Sequence, residues 1–475
     1  MSDIQSPEDF LGFKPGADRK LADWQQIVEY FTKLSNTSNR VKVDVIGEST
    51  EGNPFIRAVV TSAENMERLE EIRATQMRIC NPVGVSMDER KKLIEDGKTI
   101  VLISCSIHST EIAASQMAIQ LLYDLASKDT GDVEQILDNV ILLLVPSLNP
   151  DGHQIVVNWY KETLGTPYEG VSPPWMYHKY VGHDNNRDWF MLTQRENRLA
   201  VTEIHNKWHP HIVYDLHQMG STGARLFVPP FKDPIDNNID PVLQSQSAFI
   251  GLSMLNDLVT EGKQGVWCVQ GYDLWTPARH YQCYHGGIRI LSEAASVEIA
   301  SPIEVKRSQI TSRRGPDPLV QRWNNPYPWT GGPWTLGHIV GYEHSAAMAL
   351  LRNAARYKDK WLAGSVENYN RALNPTGAPY AYVFPPDQKD PATMGVLLNT
   401  LRLGDVNIYK ATEDFKGDEI DYPAGTYVIP LAQPYGRYAK TLLERQMYPD
   451  LRDDPSEAPK RPYDVTAHTL SLIHI

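Results

Sequence analysis

Residues 101–111 read Val101-Leu102-Ile103-Ser104-Cys105-Ser106-Ile107-His108-Ser109-Thr110-Glu111, and Ile112-Ala113-Ala114-Ser115-Gln116-Met117-Ala118-Ile119-Gln120-Leu121-Leu122-Tyr123-Asp124-Leu125 follows. The first seven are an apolar run of strand length behind the polar Glu95-Asp96-Gly97-Lys98, and they predict a buried parallel strand. From Ile112 onward apolar residues recur at helical spacing among good helix formers, with Ser109 or Thr110 as the expected N-cap. His108 and Glu111 then sit three apart on a strand-to-helix turn, at the carboxyl end of a strand, where open α/β sheets bind their ligands. A single turn brings an imidazole and a carboxylate within reach of one metal ion. Alone, such an H-x-x-E pair says little, because surface helices carry it by chance.

The flanking chain adds to it. Residues 140–145 (Val140-Ile141-Leu142-Leu143-Leu144-Val145) form another apolar run, which enters the turn Pro146-Ser147-Leu148-Asn149-Pro150-Asp151-Gly152. Residues 211–216 read as a strand ending at His217, and 288–291 as one ending in Ser292-Glu293. Apolar strands far apart in sequence thus deliver His108, His217 and Glu293 at their carboxyl ends. In a mostly parallel sheet those ends lie side by side. An amphipathic helix is expected at 24–31, a charged one at 64–77 and further helices at 196–207 and 243–260, with strands at 41–47 and 55–60 around Gly52-Asn53-Pro54. From 153 to about 182 periodicity is poor and aromatics and prolines are dense; loops of that length are usually functional.

The expected fold is therefore α/β, a mostly parallel or mixed central sheet with helices on both faces, followed by a partial second α/β domain. A lead-in at 1–20 precedes a main domain at 21–356, a helix and linker at 357–378, and the second pattern at 379–475. That last part offers few strands for a covered parallel sheet. It ends in Leu470-Ser471-Leu472-Ile473-His474-Ile475, which resembles the translation of a transposon end used in sequencing libraries, so truncation near Leu470 is expected.

Bulk properties narrow the function. With 475 residues there is room for a full-size enzyme domain, and 41% hydrophobic with 22% charged residues describes an ordinary globular chain. A net charge of −12 argues against nucleic acid or an anionic membrane as partner, and no run reaches the roughly 18 apolar residues of a spanning helix. The start, Met1-Ser2-Asp3-Ile4-Gln5, shows no basic or apolar leader, so a soluble, cytoplasmic protein is expected, with export left open. Cys80, Cys105, Cys268 and Cys283 contain no C-x-x-C pair and read as reduced thiols, with a Cys268–Cys283 bridge left open.

Two histidines and one carboxylate with a position left for water make a catalytic zinc arrangement, in which the metal lowers the pKa of water and polarises a carbonyl. Glu293 is then placed to act as general base. At this point residues 20–355 resemble the zinc carboxypeptidase family, the M14 metallopeptidases. Its H-x-x-E matches His108-Ser109-Thr110-Glu111, its later zinc histidine His217, its Asn-Pro-Asp-Gly turn residues 149–152, its D-x-N-R segment Asp184-Asn185-Asn186-Arg187, and its catalytic glutamate Glu293. The resemblance implies one zinc per chain on His108, Glu111 and His217. It implies that Asn186 and Arg187 hold the terminal carboxylate of a peptide and that Asp184 orients a zinc histidine. A guanidinium fork suits a carboxylate, and metal-bound imidazoles need an acceptor behind them.

Two departures from the family pattern stand out. No arginine lies between Gly152 and Arg187, so Lys161 is the nearest cation for the oxyanion. The tyrosine that closes over substrate falls to Tyr272, Tyr281 or Tyr284. The expected function is hydrolysis of C-terminal peptide bonds by a zinc carboxypeptidase. The alternatives are a zinc amidohydrolase acting on small N-acyl amino acids, or a non-catalytic homologue that binds peptides.

Overall fold

The computed structural model describes residues 4–269, 273–312 and 317–460. Eight strands build the central sheet: β1 (Val41–Glu48), β2 (Pro54–Val60), β3 (Thr99–Ser104), β4 (Val140–Val145), β5 (Ile212–Met219), β6 (Leu226–Phe227), β7 (Val266–Trp267) and β8 (Ile288–Ala295). Their spatial order is β1-β2-β4-β3-β5-β8-β6-β7. The centre, β4-β3-β5-β8, is parallel, whereas β1-β2, β2-β4 and β6-β8 pair antiparallel. This mixed sheet follows from the sequence pattern. β3 and β4 are buried at every position, as unbroken apolar runs covered on both faces are, while the edge strand β1 is mostly half-exposed or exposed.

Helix Ala113–Ser127 buries twelve of its fifteen residues, and Leu336–Arg356 packs against it and against the sheet. Three local expectations change. The helix after β3 begins at Ala113 without a side-chain cap of its own; the Gln218 Oε1 accepts the Ala113 N–H at 2.9 Å. Ser109 instead donates to the Tyr177 carbonyl, 2.8 Å away. Residues 150–163 are helical rather than aperiodic. Asn149 caps the N-terminus and Pro150 occupies the first turn, where its missing N–H costs nothing. Val156, Val157 and Tyr160 bury one side of that helix. Finally, β8 runs on to Ala295 because β6 pairs with its end, Phe227 opposite Glu293. Glu293 is therefore a strand residue.

Residues 379–460 lie on the same core. Strand Tyr427–Pro430 pairs with both Ala381–Phe384 and Tyr409–Lys410, flanked by helices Pro391–Leu403 and Gly436–Leu443. Leu397, Leu401, Val406, Ile429 and Tyr438 join the apolar cluster that contains β3 and β5. Polar ties cross the same boundary: Tyr435 Oη meets His209 Nε2 at 2.8 Å, and His285 Nε2 donates to the Gly404 carbonyl at 2.8 Å. Residues 470–475, on which the expectation of truncation rests, lie outside the described residues. The four cysteines are buried free thiols, which removes the Cys268–Cys283 bridge. Among the described residues no helix is long and apolar enough to cross a membrane.

Candidate metal centre and active site

β3 ends at Ser104, and the chain turns sharply through Ser106 (φ +48°) into His108. The Glu111 N–H closes that turn on the His108 carbonyl, 3.0 Å away. β5, the parallel neighbour of β3, carries Asp215 and His217 two apart, hence on one face. β8 lies in parallel register with β5, His217 opposite Glu293. Glu111 sits between the two imidazoles. Its Oε1 is 2.9 Å from His108 Nδ1 and its Oε2 is 2.9 Å from His217 Nδ1. One donor atom from each of His108, Glu111 and His217 lies within 4.8 Å of the other two.

The outer ring nitrogens are held as well. His108 Nε2 is 3.1 Å from Asp184 Oδ1, and His217 Nε2 is 2.9 Å from Asp215 Oδ2. Asn186 Nδ2 lies 3.1 Å from His217 Nε2 as a neighbour rather than an acceptor, and Arg289 binds the Asp215 carboxylate from behind. Assigning the Nε2 protons to the two aspartates turns both Nδ1 lone pairs toward Glu111. Two lone pairs and a carboxylate converging in this way call for a cation at their centre. Nitrogen, nitrogen and oxygen are donors that zinc takes, with carboxylates behind the rings. The residues present fit a metal ion.

With protons in place of a metal, the same geometry polarises the group strongly. Burial works against the charged forms, but Asp215 and Glu111 outweigh it and raise His217 to about 10. His108 is raised by Glu111 and Asp184 against the same burial. Burial would also raise Glu111, yet the two imidazoles draw it down to about 2. Asp184 and Asp215 are pulled below the ordinary carboxylate range by His108 and by His217 with Arg289. Glu293 goes the other way: burial, reinforced by Glu111, raises it to about 7.

Asp184 initiates the short 3-10 turn Asn185–Arg187 by accepting the Asn186 N–H at 2.8 Å. Its second oxygen is 3.3 Å from Arg187 Nη1. Asn185 Nδ2 donates to the Ile107 carbonyl at 2.6 Å, which laces this segment to the turn that carries His108. Trp189 Nε1 donates to Asn186 Oδ1 at 2.9 Å and fixes which end of that amide faces His217. Residues 149–152 prove to be scaffolding. Asn149 Oδ1 accepts the Gly152 N–H, while its Nδ2 reaches the Ile107 and Tyr177 carbonyls. Asp151 accepts from Ser49, Asn53 and the Glu51 N–H.

Sequence reasoning errs at Lys161. It occupies the last turn of helix Pro150–Thr163, half exposed, with Nζ 3.1 Å from Asp23 Oδ2. At 1.5 Å per residue it stands roughly 15 Å along the axis from the end that meets the site. Tyr281 and Tyr284 are buried with their hydroxyls on Asn206 and Asp236, so neither closes over a substrate; Tyr272 lies outside the described residues. The residue missed is Tyr177, whose ring stacks on His108 with centroids 4.1 Å apart and planes 14° apart. It sits in the aperiodic, aromatic-rich stretch, where no spacing rule singles it out. Asp215 left a weak trace in the sequence as Asp-x-His on a strand.

Comparison with a protein-family model points the same way over part of the chain. Residues 27–211 match the model of the zinc carboxypeptidase family, Peptidase_M14. The chain thus carries a zinc carboxypeptidase family domain over those residues, which include His108, Glu111 and the 184–187 segment, while His217 and Glu293 lie beyond them. Among solved structures, the carboxypeptidase A from Helicoverpa armigera is 12% identical, with 73% of this chain and 74% of that one covered and a TM-score of 0.42. A metallo-carboxypeptidase from Burkholderia cenocepacia is 14% identical over 71% and 68%, with a TM-score of 0.41. One from Pseudomonas aeruginosa, in complex with (2-guanidinoethylmercapto)succinic acid, is 13% identical over 71% and 69%, also at 0.41. No curated protein matches the sequence.

Proposed function

We propose that this chain is a zinc metallocarboxypeptidase that hydrolyses the C-terminal peptide bond of peptides. The observation that carries the reading is the joint placement of His108, Glu111 and His217 within 4.8 Å of one another, with Glu293 in register beside His217. His108 Nδ1, Glu111 and His217 Nδ1 would hold the ion. A zinc ion there supplies a Lewis acid that lowers the pKa of water and polarises the scissile carbonyl.

The remaining work falls to the chain. Asp184 and Asp215 keep the imidazoles oriented with Nδ1 inward. Glu293 takes a proton from water on one side of the reaction and passes it to the leaving amine nitrogen on the other. Arg187 and Asn186 offer a guanidinium and an amide to the terminal carboxylate, which fixes the register of the peptide before the reaction. Metal content combined with turnover of peptides bearing free or amidated C-termini tests the reading. One zinc per chain and a strong preference for the free carboxylate are expected. Turnover of N-acyl amino acids without peptide cleavage, or no turnover by the zinc-loaded protein, would overturn it.

A further inference from the structure

The Tyr177 ring lies flat on His108, 4.1 Å centroid to centroid, and the chain holds it there from several directions. Its carbonyl accepts from Ser109 Oγ at 2.8 Å and from Asn149 Nδ2 at 3.0 Å. The same carbonyl packs so closely on Gly152 that a Cβ there would come within 2.1 Å of it. Tyr177 itself sits at φ +61°, a conformation that a bulky L residue adopts only when its surroundings impose it. Two motifs that the proposed chemistry leaves without a reacting role, Ser109 and the Asn149–Gly152 turn, are thus spent on one backbone position. That position aims a phenol over the metal-binding cluster.

The phenol is set among the groups of the site. Asp184, Glu111, Arg187 and Glu293 all lie close enough to act on it electrostatically. Both hydrogen bonds found at Tyr177 go to its carbonyl and neither to its hydroxyl. Meanwhile the chain's nearest expected cation, Lys161, is tied to Asp23.

We propose that the Tyr177 hydroxyl donates a hydrogen bond to the scissile carbonyl oxygen of a bound peptide and strengthens it as negative charge develops there. The phenol keeps its proton throughout; it is a donor aimed at the oxyanion, and no bond to it forms or breaks. A fixed neutral donor stabilises developing charge without the cost of reorganising. This inference rests on the carboxypeptidase reading and names the residue that completes it.

The test compares zinc-loaded wild-type protein with Tyr177→Phe, which keeps the ring and removes only the hydroxyl. For peptide hydrolysis, kcat should fall on the order of 10²-fold, the scale of one oxyanion donor, while KM and zinc content stay within about twofold. A phosphonate peptide analogue, whose tetrahedral oxygen stands where the oxyanion would be, should bind more weakly by a comparable factor in calorimetry. The free product amino acid should bind unchanged. Unchanged kcat or unchanged phosphonate affinity in the variant overturns the proposal, as does an equal loss of phosphonate and product binding. Wild-type protein that cleaves no peptide would overturn the carboxypeptidase reading instead, and the phosphonate comparison would still decide whether Tyr177 is a donor.

Discussion

His217 and Glu293 face each other in the register of two parallel strands, β5 and β8. Register partners point to the same face and stand one ladder spacing apart, about 4.8 Å along the hydrogen bonds. An expected metal ligand and the expected base are therefore fixed to each other by backbone pairing rather than by loops. Moving one against the other would need a register shift that turns every side chain of the strand to the opposite face.

The first expected outcome concerns the metal. His217→Ala removes one of three donors and leaves Asp215 and Arg289 facing a gap. Zinc measured after dialysis should fall from one per chain toward zero, and activity should go with it. A variant that retains both zinc and turnover would show that His217 is not a ligand.

Glu293→Gln separates ligand from base. It is nearly isosteric, so zinc content should persist while kcat drops by 10²–10⁴-fold, the usual scale for a general base. Loss of metal in this variant would instead make Glu293 part of the cation site.

Much of this arrangement is legible in the sequence, and the reasons are physical. β3, β4, β5 and β8 are buried strands, so a polar side chain in or just beyond them stands out unless a partner inside the sheet accounts for it, as Arg289 does for Asp215; that exposes His108, His217 and Glu293 as exceptions. The four residues 184–187 are legible because their types match a family pattern. Tyr177 is different. Its place depends on one left-handed φ and on a carbonyl held by Ser109 and Asn149, and neither leaves a periodic trace. Lys161 misleads because proximity in sequence to residues 149–152 becomes distance once the intervening residues coil into a helix.

Arg187→Ala tests which end of a peptide is read. Peptides with a free C-terminus should lose at least tenfold in kcat/KM, since a charge-assisted bidentate contact is worth about 1.5–3 kcal/mol. Any slow turnover of amidated peptides should change far less. Equal losses on both would assign Arg187 to holding Asp184 in place.

Acid should unfold the protein early. Burial lowers His153, His205 and His285 to about 4 and His211 to about 3, and it holds His280 well below the ordinary imidazole value. All five stay neutral in the folded state at pH 5, whereas an unfolded chain protonates them near 6.5. The unfolded state then binds more protons, so each group costs up to about 1.4 kcal/mol of stability per pH unit as pH falls from about 6.5 toward 4. Denaturant midpoints measured from pH 7.5 to 5 should decline with increasing slope below 6.5. A flat profile through that window would mean that these histidines take up protons in place.

Glu343 imposes the opposite dependence. It projects from helix Leu336–Arg356 and is completely buried; among the described residues neither carboxylate oxygen finds a hydrogen-bond partner. Burial, with Glu111 nearby, raises it well above 4.5, so the folded protein keeps a proton there that the unfolded chain releases. Its contribution to stability is complete below pH 4.5 and is lost as pH rises, by up to about 1.4 kcal/mol per unit until the folded pKa is reached. Glu343→Gln keeps the shape and polarity of the neutral acid and removes the titration. The variant should match wild type near pH 4.5–5 and exceed it increasingly from pH 6 to 8, read as denaturant midpoints at each pH. A stability difference that stays constant over that range would show that Glu343 is ionised in the folded protein, with a counter-charge inside the core to hold it.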